Sequence, residues 1–193
     1  VMEAGRELAL INSVAVDGFG WLRDQEPLHG PQRVYRDFVL GGWQANVEIL
    51  AKHVLSTKEV ALLEGMLARY GAWLDLERGQ LAHGDFSNRH IYQSDGQYAG
   101  MIDFGDSKGA GCWHDLAHYH IRDGGRLPWR LESALLRGYG EVTSLPSIYE
   151  QYIRFTGVLL NVQLLVHGVQ KLPLDRDTLH LLYMLRQDLR ALR

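Results

Sequence analysis

Apolar residues recur at helical spacing over most of the chain. Ala4, Leu8 and Ile11 share one face, which predicts a helix over residues 1–11. Residues 32–54 read as a second helix, turning Tyr35, Phe38, Val39, Val47 and Leu50 towards a core; Gly41-Gly42 interrupts it and permits a bend. Ser56-Thr57-Lys58-Glu59 has the spacing of a capping box. The helix it starts runs to about Asp75, with Val60, Leu63, Leu67 and Tyr70 on one stripe. Trp43 and Trp73 read as core anchors. Further helices are expected from Trp113 to about Ile121, from Pro128 to near Gly138, and from Pro146 to Lys171. Asp175 caps the last one, where Leu179, Leu182 and Leu189 line one face and Arg186 and Arg190 another. Val16 to Trp21 reads as a structural loop, since no strand precedes it and no lysine follows at phosphate-loop spacing.

One stretch departs from helical periodicity. Ile91-Tyr92-Gln93 is β-prone, Ser94-Asp95-Gly96 is a hairpin turn signal, and Tyr98 to Phe104 reads as the returning strand. A hairpin holds its flanks side by side, so Asp85, His90 and Asp103 are expected to share one pocket. The fold class is therefore α+β, mainly α-helical, with a short β-hairpin beside a candidate catalytic loop, and residues 1–193 are expected to form a single domain.

Composition narrows the function classes. The chain has 193 residues, 46% of them hydrophobic and 22% charged, which suits a globular domain with a sizeable core. A formal charge of −3 gives no basic footprint and argues against nucleic acid as the main partner. The single Cys112 excludes an internal disulfide framework and suits the cytoplasm; without an activating base it reads as a small core residue. No apolar run is expected to reach a membrane span, and no signal peptide is visible.

The segment Leu81-Ala82-His83-Gly84-Asp85, continuing to His90 and then to Ile102-Asp103-Phe104-Gly105-Asp106, resembles the phosphotransferase family of aminoglycoside, macrolide and choline kinases, relatives of the protein kinases. In that family the catalytic loop reads His-x-Asp, four residues, Asn, and later Ile-Asp. Here His90 stands at the Asn position, as it does in aminoglycoside 2″- and macrolide phosphotransferases, which points to an antibiotic-kinase-like branch associated with antibiotic resistance. The resemblance runs from about residue 5 to 125 and is strongest over 81–117.

The resemblance implies phosphoryl transfer from ATP or GTP to a hydroxyl of a small-molecule acceptor, a reaction that depends on positioning and charge neutralisation. Asp85 would accept or orient the hydroxyl proton. Asp103 would be a carboxylate ligand of magnesium or manganese, and His90 a second ligand or the holder of a metal-bound water. His83 would brace the loop. Gly109 to Ala117 is similar to the family's glycine turn and Asp-Leu-Ala helix, so Asp115 would be buried and bonded back to the loop; the plainer reading is a first-turn Asp favoured by the helix dipole. Asp106 would face a cationic substrate or a second metal, or be a solvated charge, and Asp123, Tyr149 and Glu150 would touch the acceptor. His114 and His118 stand four apart, with His120 offset. Lacking a zinc-protease pattern, they read as packed or exposed.

The family's N-terminal lobe, with its phosphate-binding lysine, has no counterpart here. The expectation is thus a kinase-like C-terminal lobe, inactive or weakly active without that partner lobe. Two other readings stand beside it. One is a metal-dependent phosphohydrolase using His83 and the His114-Asp115 pair; the other is a non-catalytic kinase-like binding module.

Overall fold

A computed structural model describes residues 1–22, 28–171 and 173–193. Eight α-helices are present among them: α1 Met2–Asn12, α2 Tyr35–Val39, α3 Trp43–His53, α4 Thr57–Tyr70, α5 His114–Asp123, α6 Trp129–Val142, α7 Tyr149–Val169 and α8 Arg176–Ala191. The strands are β1 Gly20–Trp21, β2 Gln80–Ala82, β3 Ile91–Ser94, β4 Gln97–Met101 and β5 Lys108–Ala110. Strands β1, β5 and β2 form an antiparallel sheet in that order, and β3 and β4 form a separate hairpin. The fold is mainly helical with small sheets.

Helix α7 is the centre of the core. Phe155, Val158, Leu159, Val162 and Leu165 on it are buried, and it packs against α3, α5 and α8. By length and composition α7 is apolar enough to cross a membrane, which corrects the expectation that no segment is. Most of it is buried against protein, as expected of a core helix that is apolar nearly all round. Helices α1 and α6 cross at backbone contact: a Cβ at Gly138 would lie 1.9 Å from the Met2 carbonyl oxygen, so only glycine fits there.

Residues 32–54 are two helices rather than one bent helix. The first stops at Leu40, and Gly42 at φ 76° begins the second from a left-handed conformation. The capping box forms in both directions, with Glu59 N–H donating to the Ser56 hydroxyl and Ser56 N–H to the Glu59 carboxylate. After Tyr70 that helix tightens into a 3-10 turn over Gly71–Asp75. Asp175 accepts from Thr178 N–H at 2.7 Å, capping α8. Trp43 and Trp73 are partly buried against the core. The loop expected over 16–21 contains β1, whose Gly20 and Trp21 pair with Gly109 and Lys108. So short a strand has no periodicity of its own and exists through its distant partner.

Candidate active site

Strand β2 delivers the chain to His83, and the loop that follows is held from below by α5. The Asp115 carboxylate is buried, and both its oxygens are engaged: one accepts from His83 N–H and from the Asn12 amide, each at 2.8 Å, and the other from Gly84 N–H at 2.9 Å. Gly84 sits at φ +90°, and a Cβ there would lie 2.0 Å from the Asp106 carbonyl oxygen. The tight turn and the close approach both demand glycine. At the other end of the loop, Asp123 accepts from Asn88 N–H at 2.6 Å. Two carboxylates on one helix therefore fix the loop at two points. Burial raises the pKa of Asp123, against the pull of the Asn88 N–H and of Arg89, Arg122 and Arg126.

The hairpin then brings the second segment alongside. Ile102 N–H donates to the His90 carbonyl at 3.1 Å, and Asp103 follows at φ 70°, an uncommon conformation for a residue with a side chain. His83 donates from Nε2 to the Ile102 carbonyl at 2.9 Å and stacks on His90 with ring centroids 5.3 Å apart. His90 donates from Nδ1 to the Asp85 carbonyl at 2.8 Å and turns its Nε2 towards the Asp103 carboxylate, 3.6 Å away. The Asp103 carboxylate is 69% exposed. The hairpin thus sets His90 between the Asp85 backbone and the Asp103 carboxylate, while the cavity that Asp85 borders is lined by neither His90 nor Asp103.

Asp85 borders a cavity of about 270 Å³ that is also lined by Asp106, Lys108, Trp21, Phe38 and Gln163. The Lys108 ammonium lies 4.3 Å from the centroid of the Trp21 ring. Burial lowers its pKa, while Asp106, Asp115 and Asp85 act in the opposite sense. Tyr149 and Glu150 are elsewhere: they line a cavity of about 160 Å³ with His120, Glu132 and Arg154. Among the described residues no group of three or more His, Cys, Asp or Glu side chains is placed to hold a metal ion. The donors at the loop are one exposed carboxylate, Asp103, and one imidazole, His90.

Two features escaped the sequence. His118 Nε2 lies 3.3 Å from Asp85 Oδ1, while its Nδ1 lies 3.0 Å from the Phe86 carbonyl. His120 joins Glu132 at 2.9 Å and the fully buried Asp188 at 3.0 Å, and Arg154 also reaches Asp188 at 2.8 Å. Packed and exposed histidines at helical spacing look alike in a sequence, and nothing local identifies partners 12 to 68 positions away.

Residues 2–155 match the family model described as APH, the phosphotransferase enzyme family. No curated protein matches the sequence. Among solved structures, a thermostable mutant of aminoglycoside phosphotransferase APH(4)-Ia, in ternary complex with AMP-PNP and hygromycin B, is similar at a TM-score of 0.67 and 16% identity, over 99% of this chain and 64% of that one. The gentamicin–APH(2″)-IIa complex is similar at 0.59 and 18%, over 98% and 62%. The apoenzyme of macrolide 2′-phosphotransferase MphH from Brachybacterium faecium is similar at 0.55 and 14%, over 95% and 58%. At these identities the likeness is one of fold, and this chain spans less than two thirds of each neighbour's length.

Proposed function

The chain belongs to the APH phosphotransferase enzyme family, and from that premise we propose that it is the acceptor-side lobe of a small-molecule kinase, passing the γ-phosphoryl of ATP or GTP to a hydroxyl of an aminoglycoside or macrolide antibiotic. The observation that carries this reading is the bridging position of His90, whose ring lies between the backbone of Asp85 and the carboxylate of Asp103. One imidazole is thereby flanked by the backbone of the candidate base and the carboxylate of the candidate metal ligand. In this reading Asp85 takes the proton of the acceptor hydroxyl as its oxygen attacks phosphorus.

Asp103 and His90 would hold a divalent ion, which when bound neutralises charge on the transferring phosphate. A pair of protein donors suits magnesium, which keeps several waters and completes its shell with phosphate oxygens; manganese accepts the imidazole more readily. His83, Asp115 and Asp123 hold the loop in shape. The cavity beside Asp85 offers the Asp106 carboxylate and the Trp21 ring, groups that suit a hydroxylated cation. Hygromycin B and gentamicin, bound by two of the similar structures, have that chemistry. The hydrolase reading would need Asp115 at a metal, but its two oxygens are taken up by three N–H donors.

Calorimetric titration of the chain with ATP and with GTP in magnesium, repeated with Asp103→Ala, tests the metal–nucleotide half of the proposal. Binding that is lost in the variant supports it; binding that survives unchanged removes Asp103 from that role. In the intact protein, Asp85→Ala should abolish phosphoryl transfer to hygromycin B or gentamicin while metal–nucleotide affinity stays within about threefold, well under one 1.4 kcal/mol decade. Retained turnover would sink the assignment of Asp85.

A further inference from the structure

A further cavity, of about 320 Å³, has no part in the site described above. Three aromatic side chains from separate elements line it: Trp73 from the 3-10 turn after α4, Trp113 just before α5, and Tyr152 on α7. The Trp113 and Tyr152 rings stack with their planes 2° apart and their centroids 5.0 Å apart, and Trp73 leans on Tyr152 at 4.1 Å. The rings hold one another in place. Glu77 is the one acidic residue on this lining among the described residues. Its Oε2 accepts from Cys112 N–H at 3.0 Å. A Cβ at Gly111 would lie 2.5 Å from that oxygen, so the bare backbone at 111 makes room for the carboxylate. Burial raises the Glu77 pKa, and only the N–H and the thiol of Cys112 act against it; no cation does. Arg78 also lines the cavity, but it is exposed and does not pair with Glu77.

A half-buried carboxylate without a counter-ion attracts a cation, and so do aromatic rings, whose faces carry negative potential. A metal ion does not suit the cavity, because it needs several oxygen ligands and finds one carboxylate. An ammonium ion wrapped in alkyl groups does suit it: the alkyl shell sheds water easily and packs on the rings, while the charge faces Glu77. We propose that this cavity binds a small alkylated ammonium ion, with Glu77 as its counter-ion and Trp73, Trp113 and Tyr152 as its aromatic wall. The proposal is independent of the kinase reading, since this lining shares no residue with the cavity beside Asp85. Along α7, Tyr152 of one lining and Leu160 of the other are separated by about 12 Å of helix rise. Trp113 and His114, consecutive in the chain, belong one to each cavity. The ion therefore sits apart from the acceptor cavity, against the residue that precedes α5.

The experiment follows the indole N–H resonances of the intact protein by NMR during titration with tetramethylammonium chloride. Sodium chloride at the same ionic strength is the salt control, and tert-butanol, similar in shape but uncharged, is the control for plain apolar binding. The expected result is a saturable shift of the Trp73 and Trp113 indoles with tetramethylammonium and with neither control. No saturation below about 10 mM overturns the proposal, and so does equal affinity for tert-butanol, which would make the cavity an apolar slot. Glu77→Gln keeps an oxygen for the Cys112 N–H and removes the charge, so it should weaken the ion about tenfold. Unchanged affinity in a variant that melts as the unsubstituted protein does would remove Glu77 as the counter-ion and overturn the proposal. Should Glu77→Gln fail to fold, the comparison of tetramethylammonium with tert-butanol on the unsubstituted protein decides. Asp85→Ala should bind the ion within about twofold of the unsubstituted protein, less than a third of a decade in affinity. Loss of binding there would place the ion in the acceptor cavity and overturn the assignment to this one.

Discussion

Asp115 accepts three hydrogen bonds in a buried position, from two backbone N–H groups of the catalytic loop and from the amide of Asn12, which also donates to the Leu81 carbonyl at 2.9 Å. Removing the acceptor takes the carboxylate from the His83 and Gly84 N–H groups, and a buried unmade hydrogen bond costs about 1–3 kcal/mol. Asp115→Ala should therefore destabilise the protein by about 3 kcal/mol or more, read as a lower urea midpoint, with activity lost even where the fold survives. A change within about 0.5 kcal/mol, the range of an ordinary surface substitution, would show that the loop keeps its shape unaided. The residues of this loop were legible because their pattern is local: His83, Asp85 and His90 lie within eight positions, and the hairpin turn that returns the chain to Asp103 is written in Ser94-Asp95-Gly96. The contact of His118 with Asp85 was not legible, because it is decided by how α5 packs under the loop.

At the scale of elements, caps and breaks read well and short strands did not. Ser56 and Glu59 announce the start of α4 by spacing alone, and the structure adds a tertiary use: Glu59 also receives Arg186 from α8 at 2.6 Å. Burial opposes ionisation of Glu59, but the Ser56 N–H and hydroxyl, with Arg186, outweigh it and pull its pKa to about 2. Ser56→Ala should cost about 1 kcal/mol, the usual worth of an N-cap hydroxyl, and Glu59→Ala more, because it loses the helix start and the tie to α8 together. Thermal melts of both variants check the order; equal losses would mean that the arginine contact contributes nothing. Strands β1, β2 and β5 span two or three residues each and include Gly20 and Gly109. Neither alternation nor propensity marks such segments. Their pairing is set by long-range closure of the sheet that seats Lys108 opposite Ala82, one residue before His83.

At the scale of the molecule, the histidine cluster on α5 ties the site to the core. His120 links α5 to Glu132 on α6 and to Asp188 on α8, and Arg154 brings in α7. The same α5 holds both ends of the catalytic loop through Asp115 and Asp123, so loosening the helix at His120 should loosen the loop. Burial alone would lower the His120 pKa, but the hydrogen bonds to Asp188 and Glu132 prevail and raise it from 6.5 to about 9. At pH values below 6.5 the folded and unfolded chains both carry the proton, and the cluster contributes its full stability. As pH rises towards 9 the unfolded chain has lost the proton while the folded one retains it, so stability declines through that window and the contribution is gone above it. A displacement of that size corresponds to on the order of 3 kcal/mol. Urea midpoints measured at pH 6 and pH 9.5 should fall accordingly in the unsubstituted protein and fall much less in His120→Gln. Equal pH dependence in the two would show that His120 is neutral in the folded state and that α5 is anchored by packing alone. Where His120 does carry the charge, loss of activity at alkaline pH should track loss of stability in the unsubstituted protein, because the helix that gives way is the one on which the catalytic loop rests.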